Sequence, residues 1–88
     1  MENSRDDILA FIPRLEASRE NLVDEIMAEY SYLRDLDKRQ MSEADRQPRE
    51  KYREERTSHE QMQNKAMAEL ADVHAAIAAF REEAERRQ

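Results

Sequence analysis

The sequence predicts an all-α protein: an antiparallel hairpin of two long, coiled-coil-like helices, led by a short helix or kinked turn, with a dimeric four-helix bundle as its assembled form. Three observations point there. Glycine is absent from all 88 residues, so tight turns that need positive φ lack their usual residue. Charged residues make up 41% of the chain, and Glu, Arg, Ala, Leu and Met are good helix formers. Apolar residues recur in alternating steps of four and three, the period of a helix face rather than of a strand.

The first element is expected over residues 4–11. Asn3 or Ser4 can cap it, and Ser4 with Asp7 three residues on resembles a capping box with Asp in place of Glu. Asp6 and Asp7 suit the positive end of the helix dipole. Pro13 then removes a backbone donor and crowds the preceding turn. Either the short helix ends near Phe11 and a new one starts at Pro13, or one helix kinks there; the break is favoured because proline is well tolerated at a first helical position.

The second element is expected over 13–41. Counting from Ile8 in steps of four and three gives Ile12, Leu15, Arg19, Leu22, Ile26, Glu29, Leu33, Leu36 and Gln40, and seven of these ten positions are apolar. That is a heptad-like seam. Leu9, Val23 and Tyr30 widen it on one side, and Phe11 and Tyr32 on the other. A stripe this wide is matched to more than one neighbouring helix. Glu29 and Arg19 are the polar intruders. The seam is expected to drift so that Tyr30 takes the place of Glu29, while Arg19 is placed to pair with an acid on a neighbouring helix.

Residues 42–48 (SEADRQP) are expected to form the turn. Ser42 can cap, with Asp45 three residues on, and Pro48 disfavours helical geometry at Gln47. A short connection makes the flanking helices antiparallel neighbours; a single helix kinked at Pro48 is the alternative. The third element is expected over 49–87, packing through Met62, Ala66, Leu70, Val73, Ile77, Phe80 and Ala84. Its alanines let helix axes come close. Between Pro48 and Gln61 only Tyr52 is large and apolar. A helix polar all round is solvated or bridging, so this stretch is expected to project beyond the packed body or to run along the hairpin tip.

Composition narrows the function. There are no cysteines, which rules out disulfides and thiolate zinc sites. A chain this short buries a limited core, and self-association is the remaining common way to bury more. The net charge is −6, and an acidic chain is a poor general nucleic-acid binder because that affinity comes from neutralising phosphates. No apolar run approaches the roughly 20 residues of a membrane span. The acidic opening lacks the features of a signal peptide, so a cytoplasmic setting, in a cell or a virus-infected cell, is expected.

No catalytic, metal or cofactor site is legible. His59 and His74 lack a Glu-x-x-His or His-x-x-x-His partner. His59 is read as an exposed partner of Glu55, and His74 as flanking the packed stripe. The acidic clusters Asp6/Asp7, Asp24/Glu25 and Glu82/Glu83/Glu85 have no loop to shape a calcium site and read as solvated faces. The stretch FIPRLEASRENLVDEI resembles the opening helix of a small alpha-proteobacterial nucleoid-associated family that pairs such a helix with a basic, DNA-facing one. The likeness covers under a quarter of the chain, and the segment that follows is not strongly basic.

The expected function is therefore a non-catalytic protein–protein interaction or assembly module, of bacterial or phage type. It would use Ile8, Ile12, Leu15, Leu22, Ile26, Leu33, Leu36, Met62, Leu70, Val73, Ile77 and Phe80 for helix packing. A polar, partner-facing tip is formed by Arg46, Arg49, Lys51, Tyr52, Arg53 and Arg56. The expected partner is a second copy, another protein, or both. A nucleic-acid-associated dimer using Lys38–Arg56 is the alternative.

Overall fold

A computed structural model describes residues 4–87. It contains three helices: α1 (Arg5–Leu9), α2 (Ile12–Met41) and α3 (Arg49–Arg86). The two long helices pack side by side as an antiparallel hairpin, and α1 lies chiefly against α3. The molecule is a rod of 64 × 16 × 15 Å. Its radius of gyration is 19.6 Å, against roughly 12 Å for a compact domain of this length.

Each helix end has a local cause. Ser4 caps α1: its hydroxyl accepts from the Asp7 amide at 3.2 Å, and the Asp7 carboxylate accepts from the Ser4 amide at 3.3 Å. Both halves of the capping box are thus made. Asn3, the other candidate cap, lies outside the described residues.

At Pro13 the outcome combines the two expectations. The helices separate at Ala10 and Phe11, yet both residues keep right-handed helical dihedrals. The Phe11 amide reaches back only three residues, to the Ile8 carbonyl at 3.2 Å. Proline has no N–H with which to continue the ladder, so one turn tightens without leaving the helical basin.

The turn at 42–48 is made with no positive φ among the described residues. Ser42 is the C-cap of α2, in extended conformation with its amide on the Arg39 carbonyl, and Pro48 stands at the N-cap of α3. The Gln40 side chain does what a glycine turn would otherwise do. Its Nε2 donates to the Gln47 carbonyl at 3.0 Å, and its Oε1 accepts from the Gln47 amide at 3.2 Å. Arg46 Nε adds a bond to the Gln40 carbonyl at 3.0 Å.

The core is one continuous seam. All ten α2-side positions counted from Ile8 to Gln40 are buried or half-buried. The opposing seam on α3 runs from Tyr52 through Arg56, His59, Gln63, Ala66, Leu70, Val73, Ile77 and Phe80 to Ala84, again buried or half-buried throughout. Leu36 is the most enclosed side chain, at 1% exposure, with Ala66, Ala84, Ile8 and Ile77 close behind. Full burial of a leucine side chain stabilises by about 1.5–3 kcal/mol, so these positions carry the hairpin. At the end away from the turn, Phe11 stacks on Phe80 with ring centroids 5.6 Å apart, tying the junction of α1 and α2 to the last turns of α3.

Two features of the seam correct the expectations. It does not drift at Glu29: Glu29 stays half-buried in the seam, and Tyr30 is 55% exposed. Met62 is also outside it, at 45% exposure, and Gln63 takes the place.

Candidate interaction surface

The packing positions Ile8, Ile12, Leu22, Leu33, Leu36 and Ile77 are buried, and Leu15, Ile26, Leu70, Val73 and Phe80 are half-buried. All of them are thus used inside the hairpin. The face that remains lies elsewhere on α2. Val23, Met27 and Tyr30 are 42%, 57% and 55% exposed. They sit at i, i+4 and i+7, so they form a second stripe beside the buried one. Tyr30 continues into a groove of about 450 Å³ lined by Leu33, Arg34, Lys38 and Met41 from α2 and by Arg56, Glu60 and Gln63 from α3. A groove on another part of the surface, also about 450 Å³, is lined by Ser18, Asn21, Leu22, Glu69, Asp72 and Val73.

Of the two expectations for the first third of α3, projection beyond the packed body is corrected, and the stretch runs along the turn end of the hairpin. This stretch does not project; a ladder of polar contacts binds it to α2. Nδ1 of His59 lies 2.6 Å from the Glu29 carboxylate; an ionised carboxylate only accepts, so the tautomer that makes this bond carries its N–H at Nδ1. The imidazole also stacks on Tyr32, centroids 3.8 Å apart. The Tyr32 hydroxyl donates to Glu55, which accepts from Gln47 Nε2 as well, at 3.0 Å. The Tyr52 hydroxyl donates to Asp37 at 2.6 Å, and Arg56 pairs with Asp37 at 3.1 Å and Glu60 at 2.9 Å.

His59 is therefore the partner of Glu29, not of Glu55 as expected. The expected pairing of Arg19 across helices is likewise corrected: its partner is Glu16, one turn back on the same helix, at 3.5 Å. The signal missed in the sequence was complementarity. Glu29, Tyr32 and Asp37 on α2 face His59, Glu55, Tyr52 and Arg56 on α3.

The ladder shifts three proton affinities. Tyr32 is held above the ordinary phenol value because its hydroxyl donates to Glu55, with partial desolvation adding to the effect. Tyr52 is raised in the same way by Asp37. Glu55 is held below the ordinary carboxylate range, first by the Tyr32 hydroxyl and then by Gln47.

No protein-family model, curated protein or solved structure matches this chain. The reading of its surface rests on its own residues.

Of the expected polar tip, Arg46 is tied to the turn and Tyr52 and Arg56 face α2, while Arg49, Lys51 and Arg53 are exposed. His74 is exposed beside Arg19, Ile77, Ala78 and Arg81. Among the described residues no group of three His, Cys, Asp or Glu side chains is placed to hold a metal. None of the described helices is long and apolar enough to cross a membrane.

Proposed function

We propose that this chain is a non-catalytic assembly module, working as an adaptor, scaffold, chaperone-like factor or inhibitor. It acts by laying the outward stripe of α2 against further helices, and its assembled form is a four-helix bundle made with a second helical pair. The observation that carries this reading is the uncovered run Val23–Met27–Tyr30 on a hairpin whose polar ladder already holds its two helices in register. A contiguous apolar stripe with a charged margin is the ordinary mark of an interaction site, and helix-in-groove docking is the mode it fits. The nucleic-acid alternative is weakened by the internal use of Arg46 and Arg56.

The test is a paired comparison of the wild type with Met27→Asp/Tyr30→Asp. Both positions are more than half exposed, so helicity by circular dichroism should be unchanged. Solution mass and the set of proteins cross-linked in the cell of origin should both change. Identical masses and identical cross-linked sets for the two chains would remove the reading.

A further inference from the structure

We infer that the occupant of the α2 stripe is the same stripe of a second copy, running antiparallel across a two-fold axis at Met27; this rests on the assembly reading and specifies its partner. A two-fold interface sets each residue opposite a second one and repeats the pair on the other side of the axis. With Met27 on the axis, residues equally far before and after it in sequence face one another. Glu20, seven before, meets Arg34, seven after. Glu16, eleven before, meets Lys38, eleven after. Val23 and Tyr30, four before and three after, close over each other around Met27. Glu16 and Glu20 thus meet bases, and Val23, Met27 and Tyr30 gather around the axis with Asp24 and Ser31 at their margin. A parallel arrangement would set Glu20 on Glu20 and Arg34 on Arg34.

The groups in question are available. Glu20, Arg34 and Lys38 are exposed, and no ion pair within the hairpin engages them among the described residues. Glu16 is shared with Arg19 at 3.5 Å and Arg81 at 4.0 Å, so the Glu20–Arg34 pair is the stronger determinant. Area agrees as well. The chain exposes 6875 Å², where a compact folded chain of this mass exposes roughly 5,400 Å². A standard interface removes about 800 Å² from each partner, so a rod of this shape has the surface to form one.

The test uses the full chain and its lack of cysteine. Sedimentation equilibrium should give a dimer. Met27→Cys should cross-link to itself under mild oxidation, whereas Ala68→Cys, on an exposed face of α3, should not. Glu20→Arg and Arg34→Glu, each alone, place like charges together twice per dimer and should weaken it about tenfold at low salt. The double exchange should restore affinity to within about threefold of wild type, because coupled pairs depart from additivity. A dimer that neither cross-links at position 27 nor recovers in the double exchange would overturn this pairing while leaving assembly intact. A monomer at all concentrations whose cross-linked cellular partners are lost in Met27→Asp/Tyr30→Asp would overturn self-pairing and leave a different protein as the occupant. A monomer with no such dependence would remove both readings.

Discussion

Glu55 sits between two donors, the Tyr32 hydroxyl and Gln47 Nε2, and the pH response of the hairpin follows from that. Its pKa is lower folded than unfolded. The stabilisation is therefore complete above the unfolded carboxylate value and is lost as pH falls through the lower folded value. Tyr32 and Tyr52 are raised when folded. Their contribution is complete below the ordinary phenol value near 10 and is lost as pH climbs through the higher folded value. The midpoint of urea unfolding should accordingly decline at both extremes. Glu55→Gln should flatten the acid side, and Tyr52→Phe should flatten the alkaline side. Unchanged limbs in both variants would count against the ladder. His59→Ala leaves the Glu29 carboxylate, whose side chain is 12% exposed, without its donor. Loss of a partner from a largely enclosed polar group costs about 1–3 kcal/mol. His74→Ala, at an exposed position, should stay within about 0.5 kcal/mol of wild type.

At the scale of elements, α1 is held by side chains more than by its own five residues. Ile8 is buried and Phe11 stacks on Phe80, whereas an isolated single turn of helix has no stability of its own. Phe80→Ala should therefore release α1. Amide exchange of Ile8 to Phe11 should speed up by at least about tenfold while Leu33 to Leu36 keep their protection; equal protection in the variant would show another anchor.

The hairpin, the places where the two prolines interrupt it and the apolar half of the seam were legible in the sequence, whereas the local outcome at Pro13 was not. Nor was the polar half. Continuing the four-three count backwards from Ala66 lands on Gln63, His59, Arg56 and Tyr52, but hydrophobicity gives those positions no weight, and Met62 drew the assignment one residue aside. The α2 side carried the matching clue in Glu29: an acid on a strict seam position stays there when the facing helix supplies a donor. The outward stripe was seen only as the width of the apolar band, since nothing in one chain's pattern separates a flank used internally from one left uncovered.

At the scale of the molecule, stability is concentrated at buried seam positions and absent from the rod's outer surface. Leu36→Ala removes the most enclosed side chain, and large-to-small core changes of this type cost about 2–5 kcal/mol. Leu22→Asp and Val73→Glu should lower helicity outright, since a charge placed on the seam lacks a partner. Arg53→Glu, on an exposed face, should leave the thermal melt in place. A melt that moves as far for Arg53→Glu as for Leu36→Ala would show that the exposed face of α3 is structural.

Most cross-helix hydrogen bonds and ion pairs gather toward the Gln40–Gln47 clasp, over the buried Leu33 and Leu36, whereas the far end beside Ile8 and Phe80 is held chiefly by greasy contacts. The open ends of α1 and α3 emerge together at the greasy end. Tension applied there would peel the strands apart rung by rung instead of shearing them all at once. The directional bonds come last, so a half-opened rod would still remember its alignment and close again in the correct frame when the load is released.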